Sequence, residues 1–353
     1  MRQRGILNYR FIFVALAVAI FSPGVIAEVL FVDSTNGNDT NPGTREKPLS
    51  TLGKAVILVN NSSNPGPTII KILPGIYNLT QAVVFKNSRP YTERDRLTIE
   101  ASVLPDDPGW KPQLMPMILS TEDPRNPEKP DVITDTYGIK IKLSHVTIRG
   151  LRFLGNPVPN NMYAPIERID KGLEDLLVTQ CMFVGDKDSF DIYCAVIATG
   201  HKFVVDHCIF HNCHASAVFW DGPEGISGKN NVMRYCIVDG GFISGVWTCQ
   251  TSDDFEFHHN IVTDTEYFWI RKKTERHIRY KLNDCIINVH KFSGYGIESG
   301  PIGETGAEIT YDLKNVIKGA HILLVEDKNR KDYLHVVPGT SGCALSAGLF
   351  KEK

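Results

Sequence analysis

The sequence predicts an all-β fold of one kind, a solenoid whose chain winds through stacked coils as a parallel β-helix. Three observations carry this reading. Seven segments share a short β-rich stretch, a small or polar residue, then two or three apolar residues: VTIRGLRF (146–153), LLVTQCMF (176–183), FVVDHCIF (203–210), VMRYCIV (232–238), FEFHHNIV (255–262), KLNDCII (281–287) and YDLKNVI (311–317). Aligned on the residue before the apolar pair, they put Leu151, Cys181, Cys208, Cys236, Asn260, Cys285 and Asn315 in one column. The steps are 30, 27, 28, 24, 25 and 30 residues. A repeat of this length, rich in β-branched residues and without helical periodicity, reads as one coil per repeat. Each coil has room for about three short strands and their turns. Coils stacked at about 4.8 Å turn equivalent positions into ladders along the axis. At the aligned column the chain must bend. Asn tolerates the left-handed conformation there, and Cys is a small hydrophobe that can face a dry interior.

The elements follow in order. Arg2, Arg4 and Arg10 precede an apolar run from Phe11 to Phe21, then Pro23, Gly24 and the small Ala27. This has the form of a secretory signal peptide, 1–27. The run is short of the roughly 18 to 20 residues of a spanning helix, and no other stretch could span a membrane. Without the three leader arginines, 35 basic residues stand against 40 acidic ones among 353 in all. That balance argues against a nucleic-acid partner bound by broad electrostatics. An N-terminal cap is expected over 28–66, coils over 67–327 and a C-terminal cap over 328–353, in a single domain and a monomer.

The residues FVDSTNGNDTNPGTREKPLSTLGKAV (31–56), TIIKILPGIYNLT (68–80) and RLTIEAS (96–102) resemble the opening of right-handed parallel β-helix proteins of the pectate-lyase-like superfamily. In that group an extended strand, a Gly-Asn-Asp turn, a Pro-Gly-Thr turn and a short helix cap the open end of the solenoid. The resemblance covers nearly all of the chain after the leader and implies a right-handed coil. It says less about activity, since the superfold hosts lyases, hydrolases, epimerases and proteins without catalysis. VVDHCIF (204–210) resembles the Trp-Ile-Asp-His motif of pectate lyases, with Val205 in place of the Trp. Their Arg-x-Pro-x-x-Arg motif is absent, so Ca2+ has no motif to support it and no cofactor is expected.

A candidate site comes from the strand that precedes the bend strand of each coil by a loop of variable length: CAVIATG (194–200), AVFWDG (217–222), GVWTC (245–249), EYFWIR (266–271), YGIESG (295–300) and HILLVED (321–327). Strand alternation sends Val196, Val218, Val246, Phe268, Ile297 and Ile322 inward. The outward face then carries Phe219, Trp247 and Trp269 as an aromatic stack, with Tyr267 beside it. Asp221, Arg271 and Glu298 are the catalytic candidates on that face. Sugar rings stack on aromatic faces, and acids with an Arg orient a substrate and move protons. Cross-strand stacking for stability alone explains the aromatics about equally well.

Two further sets of residues carry less. His207, His211 and His214 surround Cys213, and His258 precedes His259, but no zinc motif joins them. No metal is expected. The 8 Cys would suggest disulfides in an exported chain, yet Cys181, Cys208 and Cys236 point the same way in one ladder and are expected as buried free thiols. The expected function is a secreted protein, extracellular or periplasmic, that acts on a polysaccharide as a lyase or glycoside hydrolase. A non-catalytic glycan-binding or cell-surface module is the alternative.

Overall fold

A computed structural model describes residues 27–87, 89–126, 129–220, 228–248, 254–272, 279–297, 300–304 and 310–351. The chain forms a parallel β-helix with three faces. The first face runs through Glu28–Val32, Thr68–Ile72, Leu97–Ala101, Val146–Arg149, Glu174–Thr179, His201–Asp206, Val232–Arg234 and Glu256–His258. The second holds Ile76–Leu79, Met117–Ser120, Arg152–Leu154, Met182–Val184, Ile209–His211 and Ile237–Asp239. The third holds Val83–Phe85, Thr136–Ile141, Tyr163–Arg168, Cys194–Ala198, Ala215–Phe219 and Ser244–Thr248. The later coils follow the same path in longer strands, Ile261–Lys272, Arg279–Ile297 and Thr310–Lys318.

Strand pairs between coils are parallel and in register, as in Val178↔Val205 on the first face and Phe183↔Phe210 on the second. Inside, one row repeats one kind of residue coil after coil. Phe153, Phe183 and Phe210 stack with ring centroids 5.0 and 4.9 Å apart and nearly parallel planes. Aromatic residues on successive rungs thereby fill the interior with little free volume.

The predicted ladder is present. Successive corner residues are tied by backbone bonds from Met182 N to Leu151 O, Ile209 N to Cys181 O, Ile237 N to Cys208 O, Ile261 N to Cys236 O and Ile286 N to Asn260 O. Its last member differs: Cys285 faces Val316, one residue beyond Asn315. On every coil but the last the left-handed bend is also one residue earlier than expected. Gly150, Gln180, His207, Tyr235, His259, Asp284 and Asn315 all have positive φ. Two more left-handed columns mark the other corners, His145, Asp175, Lys202 and Asn230 at one and Asn212, Gly240 and Asp264 at the other. Three such bends per turn make the coil triangular.

The helix Leu52–Asn61 lies against the first strands. The Thr51 side chain caps it by accepting from Lys54 N. Leu52, Ala55, Val56 and Val59 enter the same core as Val32, Ile70 and Phe85. Asn60 pins it to the third face, donating to Val84 O at 2.8 Å and accepting from Lys86 N at 2.9 Å.

The C-terminal residues lie as a strap along the outside of the second face. There Met182, Ile209, Ile237, Ile261 and Ile286 form an outward apolar stripe, packed with Tyr333, Leu334, Val336 and Leu349. A stripe of this kind needs cover, and the chain's own tail supplies it. Gln180 Nε2 donates to Leu349 O, Gly348 N to Tyr235 O, and Lys351 Nζ pairs with Asp206.

Candidate functional site

The register of the third face differs from the one expected. Trp247 lies between Val218 and Ile270, Phe219 faces Thr248, and Trp269 faces Val246. Phe219, Trp247 and Trp269 therefore do not form a stack. Phe219 and Trp269 point into the core, almost without exposure. Phe219 packs on Phe203 at 4.6 Å, and Trp269 on Tyr280 at 4.5 Å. The cause is register: Ala217 rather than Val218 pairs with Val196 and Val246, and Trp269 rather than Phe268 pairs with Val246. A one-residue difference in register moves a strand's side chains to the other face. Val218, expected inside, is outside with Ile197 and Trp247. Tyr267 is buried, its ring 5.4 Å from Lys291 Nζ. Trp247 is outward and half-buried, and Tyr267, though buried, continues the row of Ala215 and Ser244. Asp221 and Glu298 lie outside the described residues. Arg271 is in register with Thr248 and Tyr295, and its side chain is not described.

The outer surface of the third face has its own character in the earlier coils. Cys194, Ala215 and Ser244 follow one another in register, with Ala164 on the coil before. These small residues make a shallow floor. Ile197, Val218 and Trp247 form the next row, and Tyr137, Met162, Tyr193 and Trp220 pack as a half-buried rim. Flat aromatic edges around a low floor suit a ring-shaped ligand with an apolar face.

Ionisable groups gather at one end of this surface. Glu167 continues the row of Ile197 and is nearly fully buried. Lys140 Nζ lies 3.6 Å from it and 4.0 Å over the Tyr137 ring. Burial still raises the Glu167 carboxyl above its usual range against the pull of Lys140. Asp135 accepts from Asn161 Nδ2 at 2.6 Å and lies 3.4 Å from Tyr137 Oη. Burial pushes the Asp191 carboxyl up to about 6. Its Oδ1 is 3.1 Å from His214 Nε2, and burial lowers the His214 imidazole. Desolvation thus disfavours the charged form of both partners, and among the described residues Asp191 Oδ1 and His214 Nδ1 are buried without a hydrogen-bond partner. Tyr137 and Tyr193 have raised phenols, first by burial and then by the fields of these acids.

These groups were not singled out in the sequence. The signal was present in TYGIKI (136–141) and YAPIER (163–168), which pair in register with the later third-face strands. Their weak β-branched pattern hides them among loops.

The Asp-His motif at 206–207 has another role. Asp206 accepts from Arg234 Nε at 2.9 Å and Thr179 Oγ1 at 3.1 Å, and pairs with Lys351 at 2.9 Å. His207 stacks on Tyr235 with centroids 4.7 Å apart. This is a structural hub where the first face meets the strap. Cys213 is in the core, while His211 binds Asp239 at 2.8 Å and His214 faces Asp191.

Solved structures similar to this chain include a rhamnogalacturonan lyase, 14% identical with a TM-score of 0.42, covering 82% of this chain and 68% of its own. A GH136 lacto-N-biosidase from Eubacterium ramulus is 10% identical with a TM-score of 0.46, covering 82% of this chain and 67% of its own. The pectin methylesterase from Aspergillus niger is 11% identical with a TM-score of 0.43, covering 91% of this chain and 94% of its own. No curated relative matches the sequence. Residues 35–88 match a family described as a protein of unknown function, DUF1565. Residues 134–310, half of the chain, match the model of the right handed beta helix region. The matched span contains most of the stacked coils, so the corner columns and in-register faces have their explanation: the chain belongs to the right-handed β-helix family.

Proposed function

We propose that the protein is a secreted carbohydrate-active enzyme that binds a glycan across the outer third face and cleaves it by acid–base chemistry. The observation that carries this reading is Asp191, a carboxyl poised at about 6 beside His214 on an aromatic-rimmed surface. A carboxylic acid that keeps its proton near neutral pH can protonate a leaving glycosidic oxygen. Asp135 or Glu167 serves as the second carboxylate, as nucleophile or as base for water. Among the described residues, the lysines of this surface favour hydrolysis over lyase elimination. Elimination needs a cation free to stabilise an enolate, and Lys140 and Lys142 are engaged with Glu167 and Asp170 at 3.6 and 3.2 Å. Trp247 and Tyr193 supply stacking surface. Arg271, with Asp221 and Glu298, extends the reading toward the later coils.

Export is supported by the leader at 1–27, and no helix among the described residues is long and apolar enough to cross a membrane. The test is a panel of polysaccharides incubated with the purified chain. New reducing ends mark hydrolysis, and ultraviolet absorbance of an unsaturated product marks elimination. Asp191→Asn should lower kcat at least about a hundredfold while changing substrate affinity little. Binding without turnover would identify a glycan-binding module instead.

A further inference from the structure

We infer that the N-terminal cap carries a second binding site, for a neutral sugar unit, apart from the third face. A cavity of about 370 Å³ lies between the start of the helix Leu52–Asn61 and the strand Ile76–Leu79. Ligand sites run from roughly 300 to 1,000 Å³, so this one suits a small molecule or one unit of a chain. Its lining gives the ligand class. Ser34, Thr51, Asn78 and Gln81 bring hydroxyls and amides, and no acidic, basic or imidazole side chain lines the cavity. The strand adds backbone groups of both kinds. Among the described residues it pairs on one side only, with Met117–Ser120. Met117 N donates to Gly75 O and Thr121 N to Leu79 O. Successive peptide groups of a strand face opposite edges, so those of Ile76 and Asn78 turn to the unpaired side. A sugar hydroxyl both donates and accepts, and this edge offers both. Ile76, 58% exposed, gives the C–H face of a ring an apolar contact.

A charged ligand fits this place poorly. Asp39 already stands at the helix start, accepting from Ser50 N and Thr51 N, both at 2.9 Å, and from Thr51 Oγ1 at 2.7 Å. Its carboxylate answers the positive end of the helix dipole, and a second anion would be repelled. Gly53 is an independent sign of an occupant. It lies in the first turn of the helix and lines the cavity. Its φ is outside the left-handed region, and a Cβ there would meet, apart from the helix's own backbone, nothing nearer than Thr51 Oγ1 at 3.9 Å. Neither backbone conformation nor packing within the chain asks for glycine, and glycine weakens a helix relative to alanine. A ring seated against the Gly53 backbone supplies the reason. The inference goes beyond the reading of the third face and does not depend on it.

The test is ligand-observed NMR with neutral mono- and disaccharides of glucose, galactose, mannose, xylose and rhamnose, and with digalacturonate and inorganic phosphate for comparison. Trp247→Ala serves as the background, so that stacking on the third face is disabled. At least one neutral sugar should bind, with an affinity that changes less than about twofold between low and high salt. Gly53→Ala should weaken that binding about threefold and Gly53→Leu more than about tenfold, by filling the space the ring takes. Without sugar, Gly53→Ala should raise Tm by about 1 to 3 °C. A variant that is more stable and binds less well is what a glycine kept for a ligand predicts. A lower Tm for Gly53→Ala would show that the fold itself needs the glycine, and would overturn the inference. Tighter binding of phosphate or digalacturonate, sugar binding that survives Gly53→Leu, or no neutral sugar bound at all would overturn it too. Binding seen in the unaltered chain but lost with Trp247→Ala alone belongs to the third face: it overturns this inference and supports that reading. If Gly53→Leu fails to fold, Gly53→Ala decides.

Discussion

Asn260 occupies, on its coil, the corner that Cys181, Cys208, Cys236 and Cys285 fill on theirs. Its Oδ1 accepts from Cys236 N at 2.9 Å and its Nδ2 donates to Met233 O at 2.8 Å, all within the buried wall. Asn260→Ala would leave these backbone groups without those partners, at a cost of about 2 to 3 kcal/mol. Asn260→Cys should cost less, because a thiol is accommodated at the same corner on neighbouring coils. Urea midpoints of the two variants decide the order. The thiols are free and buried, their sulfurs directed at carbonyls such as Thr179 O for Cys181 at 3.4 Å. Titration of denatured, unreduced protein should therefore recover the four ladder thiols, and recovery of none would overturn this. The column itself was legible in the sequence. The bend was not, because Asn260 is there for its amide. The left-handed residue is the one before it, and its side chains are as unlike as Gln180, His207 and Tyr235.

Among the elements, the strap depends on one histidine. His335 Nδ1 donates to Tyr333 O at 3.1 Å and its Nε2 accepts from Leu349 N at 2.8 Å, which requires the neutral ring. Burial lowers it from 6.5 to about 4. A histidine depressed on folding contributes stability that is complete above the unfolded value. That stability is lost as the pH falls through the interval down to the folded value. The loss should approach roughly 3 kcal/mol between pH 6.5 and 4. Asp191 acts with the opposite sign in an overlapping window, because a carboxyl raised to about 6 favours the folded state as it takes up its proton. The two partly cancel in the native protein. Comparing melts of His335→Gln with the unaltered chain at pH 7 and 4.5 isolates the histidine: the stability gap between the two should shrink at the lower pH. The strap was not legible as a strap. Its residues, polar and turn-rich, carry no periodicity, and only the stripe of Met182, Ile209, Ile237, Ile261 and Ile286 explains where they lie.

At the scale of the molecule, that stripe makes the tail a condition for solubility. Deleting residues after 327 would expose five nearly fully buried apolar side chains in line. At about 1.5 to 3 kcal/mol each, the lost burial rivals the net stability of a whole domain. The truncated chain should bind a hydrophobic dye, melt lower and aggregate, as read by dye fluorescence and light scattering. A truncated chain that stays monomeric with an unchanged Tm would show that the strap contributes little. The sequence by itself determined the coil length, the corner ladder and the parallel stacking. These depend on short local patterns repeated many times, so an error on one coil is corrected by its neighbours. Only the tertiary structure decided which side of the third face each aromatic takes, since Ala217 rather than Val218, and Trp269 rather than Phe268, pair with Val246 and so Phe219 and Trp269 turn inward. It also decided which acids share a surface. Asp135, Glu167 and Asp191 belong to three successive coils, and stacking rather than sequence proximity brings them together.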